Sequence, residues 1–144
     1  MKDTSVVILG GVEDSSLQIP LYGSRPQAGF ASVGDDHIEK VLDINDLVVK
    51  HPASTFFVRV EGDSMIGAGI FSGDVLVVDR SLNAKSGSIV VAAINGEMLV
   101  KRLFVQGGLH TLHSENADYA PITISEHDDG QVWGVVVGSV RRFE

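Results

Sequence analysis

The chain contains no cysteine, which excludes a disulfide framework and a thiol nucleophile. No apolar run approaches the roughly 18 to 20 residues that cross a bilayer. The one apolar run near the start, Ser5-Val6-Val7-Ile8-Leu9-Gly10, is too short and too weakly basic at its front for a signal peptide. Cation excess is lacking too: 11 Lys and Arg stand against 19 Asp and Glu, a net charge of −8. No basic run is interleaved with aromatics, so a protein that grips nucleic acid by its phosphates is not expected. These absences lead to the expectation of a soluble cytoplasmic protein that touches neither membrane nor nucleic acid directly.

What is present suits a small β-rich domain. At 144 residues, with 44% hydrophobic residues and a mean hydropathy of +0.18, the chain is long enough for one core and a short appendage. Sixteen glycines and many valines favour strands and turns. Residues 1 to about 36 are broken by Gly, Ser and Pro, and read as an arm that packs only locally, with extended segments at 5 to 9 and 17 to 22. Asp43 caps a short helix through Lys50, which Pro52 ends. Strands are expected over 55 to 61, 75 to 79, 88 to 94, 97 to 105, 109 to 113 and 131 to 142. Asn95-Gly96 between two apolar runs is a strong hairpin signal, because both residues tolerate positive φ. The expected fold is a small, mostly antiparallel β-fold with a flexible N-terminal arm.

Three places carry the chemistry. The strand Thr55-Phe56-Phe57-Val58-Arg59-Val60 stops at Glu61-Gly62-Asp63-Ser64-Met65-Ile66, with Gly67 and Gly69 close behind. Ser64 is either an ordinary turn serine or a nucleophile presented on a tight turn. In the strand from Glu97 to Val105, alternation puts Lys101 on one face with Leu99 and Leu103. Lys101 is either a residue whose stem covers apolar surface or a buried base. A serine needs a base to remove its proton, and an ordinary lysine is neutral in only about one molecule in two thousand at pH 7. Burial among leucines with no obligatory carboxylate partner favours the neutral form. Finally, Gln27-Ala28-Gly29-Phe30 is either a linker turn or a bond open to a protease.

Other groupings carry less. His110 and His113 point to opposite faces of a strand, so no metal site is expected there. His127-Asp128-Asp129 reads as a solvated loop, Asp63 and Asp79 as partners for arginines, and no phosphate-cradling loop is present. No cofactor or metal is expected.

Gly62-Asp63-Ser64-Met65 with Gly69 to Asp79, and Gly96 to Leu103, resemble the serine and lysine regions of the LexA/UmuD self-cleaving peptidase family. Ala28-Gly29 resembles that family's scissile dipeptide, and Ser114 to Ile122 and Val132 to Val136 are similar as well. The likeness runs from about Pro20 to Val140, and is to the UmuD branch rather than to the repressors, since only 28 residues precede the dipeptide. It implies a LexA C-terminal-domain-like β-fold, with Ser64 as nucleophile and Lys101 as general base of a Ser–Lys dyad. It also implies self-cleavage at Ala28-Gly29 stimulated by RecA–single-stranded DNA filaments in the SOS response. Residues 1–28 would be the arm removed, and 29–144 the peptidase-like domain, with 29–50 as remaining arm and short helix. The implied partners are a second copy in a homodimer, a UmuC-type Y-family DNA polymerase of the polymerase V type, the RecA filament and the replicative sliding clamp. The first 18 or so residues depart from the expected arm. The rival readings are a non-catalytic β module that binds a polymerase or filament, and an autocleaving repressor-like fragment.

Overall fold

The computed structural model describes residues 3–12, 18–22, 38–124 and 131–144. Ten strands, all paired antiparallel, build it: β1 (Ser5–Gly11), β2 (Gln18–Tyr22), β3 (Ile38–Asp43), β4 (Thr55–Glu61), β5 (Val75–Asp79), β6 (Ile89–Ile94), β7 (Glu97–Gln106), β8 (Leu109–His113), β9 (Ile122–Ile124) and β10 (Gln131–Val140). The chain divides into two units, residues 13–50 and residues 1–12 with 51–144.

In the smaller unit, β2 pairs with β3, from Gln18 opposite Asp43 to Tyr22 opposite Ile38. The strand β3 was not foreseen, because Ile38, Val41 and Leu42 lack the strict alternation of a half-buried strand. One short helix, α1 (Ile44–Val48), follows; the Asp43 side chain accepts from the Asn45 N–H and so caps it as expected.

The larger unit is one sheet in the order β1-β4-β5-β10-β6-β7-β8-β9. Ser5 of β1 also stands opposite Leu99 of β7, so the first six strands close into a ring. Here the structure corrects the sequence reading: residues 5–11 are not a locally packed arm but the strand that closes the ring, paired with Phe56–Glu61 of β4. The reason is physical. An unpaired edge of β4 would leave a row of N–H and C=O groups open, and pairing with β1 satisfies them.

Local sequence explains the rest. Asn95 and Gly96 turn β6 into β7 with φ of 50° and 78°, the left-handed pair that a two-residue hairpin needs. The long β10 pairs with β5 on one side and β6 on the other, and its register slips between Val132 and Gly134 and again between Val136 and Gly138. Such bulges bend a strand around a closed ring. Gly134 leaves no room for a side chain there, since a Cβ would lie 2.6 Å from Val78 Cγ1. Val58, Val60, Met65, Ile70, Leu76, Val78, Val91 and Val100 fill one core. Val90, Ala92, Leu103, Leu112 and Val135 form a second.

Candidate functional site

Gly62 has φ +111° and ends β4 in a conformation that side chains resist. The chain then turns so that Met65, wholly buried, plugs into the first core, and one 3-10 turn, Ile66–Ala68, follows. Ser64 is thereby drawn inward, with no exposed surface. Two further devices fix the turn. Asp63 is held from the β8–β9 connection, its carboxylate accepting from the Tyr119 hydroxyl at 2.6 Å and its carbonyl from Asn116 Nδ2 at 3.0 Å. Gly67 donates to the Glu115 carbonyl at 2.8 Å, an approach so close that a Cβ would sit 2.6 Å from that oxygen. Behind the turn, Asp74 accepts from Phe71 N–H and from Arg141, whose Nη2 also reaches the Gly69 carbonyl.

Lys101 lies in β7 opposite Val90 of β6, flanked on its own face by buried Leu99 and Leu103. It is 1% exposed, so its stem does not snorkel to water. Its three ammonium donors meet three oxygens: both Asp3 Oδ atoms at 3.0 Å and Ser114 Oγ at 2.7 Å. The Tyr119 ring centroid is 5.8 Å away. The carboxylate corrects the expectation of a lysine without an acidic neighbour. Asp3 lies outside every motif in the sequence.

Ser64 is equally engaged, with Thr4. The Ser64 hydroxyl donates to Thr4 Oγ1 at 2.7 Å, the Ser64 N–H donates to the same oxygen at 3.0 Å, and the Thr4 N–H donates to Ser64 Oγ at 3.0 Å. The Thr4 N–H also reaches Asp3 Oδ1 at 2.9 Å. Ser64 and Lys101 are thus joined through two consecutive residues, Thr4 and Asp3, and do not bond each other directly. An open depression of about 640 Å³ beside the serine turn is lined by Glu61, Gly62, Asp63, Ile66, Phe71 and Ser72, and contains neither Ser64 nor Lys101.

Charge at the margins is set by partners. Partial burial, then the hydrogen bond to Asp63, push the Tyr119 phenol up to about 12, with the charges of Asp63, Asp3 and Asp118 adding to it. Burial alone would raise the Asp79 carboxyl, yet hydrogen bonds from Ser81, His51 and Ser54 outweigh it and hold it well below the usual range. The Arg141 hydrogen bond lowers Asp74 against the opposing effect of burial. Among the described residues, neither Asp63 nor Asp79 pairs with an arginine as expected. Asp63 takes a tyrosine, and Asp79 takes a histidine and two serines.

Ala28, Gly29 and His127-Asp128-Asp129 lie outside the described residues. Among those described, no group of three His, Cys, Asp or Glu side chains could hold a metal, and no helix is long and apolar enough to cross a membrane. Ser114 and Thr4 were missed by sequence reasoning. Nothing in a lone hydroxyl at a strand end signals its partner, although the apolar run after Thr4 did signal a strand.

Residues 20–137 match the family described as Peptidase S24-like. The chain is 42% identical to Protein MucA of Salmonella typhimurium over 85% of this chain and 84% of that one. It is 47% identical to Protein ImpA of Salmonella typhimurium over 65% of this chain and 64% of ImpA. It is 36% identical to the LexA repressor of Clostridium perfringens (strain SM101 / Type A) over 96% of this chain and 66% of the repressor. The family match begins within β2, takes in the serine turn and the lysine strand, and leaves Asp3 and Thr4 outside. Extending over most of an antiparallel β-fold, it makes this chain a member of the Peptidase S24-like family.

Proposed function

We propose that the chain is a single-turnover serine self-peptidase, with Ser64 as nucleophile and Lys101 as general base. One observation carries the reading. A serine and a lysine far apart in sequence are both withdrawn from water, and two consecutive residues bridge them, Thr4 bonding Ser64 and Asp3 bonding Lys101. A buried lysine beside a buried serine hydroxyl is what base activation of serine requires.

The substrate bond is Ala28-Gly29. Ser64 Oγ attacks the Ala28 carbonyl carbon while Lys101 Nζ takes the hydroxyl proton. The C–N bond to Gly29 then breaks, and Lys101 returns the proton to the leaving amine. Water attacks the resulting ester while giving a proton to Lys101; the C–O bond to Ser64 then breaks, and Lys101 returns that proton to Ser64 Oγ. The Ser64 N–H, directed at an oxygen 3.0 Å away, is the candidate donor to the oxyanion. Small side chains at Ala28 and Gly29 suit entry into a narrow groove.

The wider role rests on the likeness to the LexA/UmuD family, and on the similarity to MucA, ImpA and a LexA repressor. In it, a RecA–single-stranded DNA filament shifts the population toward the state with the scissile segment docked. The shortened product, as a cytoplasmic homodimer, serves a UmuC-type translesion polymerase. A second reading, a β module that binds without cutting, is favoured by the ammonium of Lys101 being held by Asp3 and Ser114 rather than by Ser64. Intact mass after alkaline incubation decides between them. A product beginning at Gly29, absent in Ser64→Ala, supports the peptidase; an unchanged native chain supports the module.

A further inference from the structure

We infer that the groove between β4 and β7 is a binding site for an extended peptide strand, and that its resident occupant is the chain's own Asp3–Gly11, which latches Ser64 and Lys101 shut. This inference rests on the dyad reading above.

Backbone pairing shows that the groove takes a strand. Ser5 stands opposite Glu61 on one side and Leu99 on the other, and the Val100 N–H donates to the Thr4 carbonyl at 2.9 Å. An extended segment added between two strands is held by main-chain bonds, with its side chains supplying selectivity. The selective side chains here are a hydroxyl and a carboxylate in succession. Thr4 Oγ1 sits 3.0 Å from Ser64 N and 2.7 Å from Ser64 Oγ. It therefore takes the place that the carbonyl oxygen of a bound peptide bond would need, within reach of both nucleophile and oxyanion donor.

The carboxylate acts on the other member. With both Asp3 oxygens and Ser114 Oγ around it, Lys101 Nζ is engaged by partners other than Ser64 Oγ. Ser64 is blocked and Lys101 is tied up by the two adjacent residues that lead into β1. Only one strand fills the groove at a time, so Ala28-Gly29 enters only after Asp3 and Thr4 leave. The ligand class is an extended peptide with an acid and a hydroxyl side by side.

The test uses the full chain carrying Asp3→Ala and Thr4→Val together, with self-cleavage followed by intact mass near neutral pH. The expected result is cleavage faster by about tenfold or more. A synthetic peptide of residues 3–12, added in trans, should slow it again, and the same peptide carrying both substitutions should not. In a Ser64→Ala background, where no cut occurs, amide exchange at Val100 should quicken with the same two substitutions. Cleavage no faster than in the native chain, or unchanged Val100 exchange, overturns the latch. Cleavage that persists in Ser64→Ala alone overturns the dyad reading instead.

Discussion

Asp3 and Lys101 meet carboxylate to ammonium across 98 positions of sequence, with both Asp3 oxygens 3.0 Å from Nζ. The Asp3 side chain keeps 30% of its surface in water while that of Lys101 keeps 2%. Solvent therefore reaches the pair only from the Asp3 side, and an ammonium that would otherwise lie unpaired among leucines has its countercharge.

The first prediction concerns alkalinity. Lys101 must lose a proton before it can act as base, and the groups facing it are Asp3, Ser114 and the Tyr119 ring. Self-cleavage should therefore rise steadily from about pH 7 to about pH 10. Tyr119, with its phenol at about 12, stays protonated through that window and does not contribute to the rise. A flat profile, measured by the fraction of product against time, would speak against lysine as the base.

Substituting the dyad should separate chemistry from folding. Ser64→Ala removes the hydroxyl that donates to Thr4 Oγ1 and accepts from the Thr4 N–H, a loss of about 1 to 2 kcal/mol. The chain should still unfold in one cooperative transition, yet give no product beginning at Gly29. Lys101→Ala should be equally inert, whatever the pH.

The serine turn should loosen when its outer ties are cut. Tyr119→Phe removes the hydroxyl that Asp63 accepts and should cost about 1 kcal/mol in urea unfolding. Gly67→Ala forces a Cβ to within 2.6 Å of the Glu115 carbonyl, and should cost about 1 to 3 kcal/mol by displacing the β8–β9 connection. Both changes should slow self-cleavage, although neither residue touches the reacting bond.

Acid should unfold the ring through Asp79 and Asp74. Both carboxyls titrate below their ordinary value of 3.8 in the folded chain. Their stabilisation is therefore complete above about pH 4 and declines as pH falls toward the folded values. Asp79→Asn, which disturbs bonds to His51, Ser54 and Ser81, should cost about 1 to 3 kcal/mol at neutral pH. It should also flatten the acid limb of a stability curve measured by thermal melting.

The strands of the larger unit from β4 to β8, together with β10, were legible because each is local: alternation, a glycine turn, an Asn-Gly pair. Lys101 was legible for the same reason, since Leu99 and Leu103 are its near neighbours in sequence. Asp3 and Thr4 were not. Their importance comes from β1 pairing with strands 45 and more positions away, and no periodicity in Ser5–Leu9 says which edge will receive it. Asp63 misled in a similar way. An acid beside a serine invites an arginine, but the β8–β9 connection supplied Tyr119 instead. The short strand β9 is three residues long and offers too few positions for alternation to register.

The strand that completes the ring lies on the N-terminal side of Ala28-Gly29, and its main partners lie on the other. Severing that bond would make this a split protein: two pieces with no covalent link, held by β-ladders along β1 and β2. The smaller piece would behave as a bound ligand with a dissociation rate of its own. That rate, rather than the rate of bond scission, would then time when the edges of β4 and β7 become vacant for another chain.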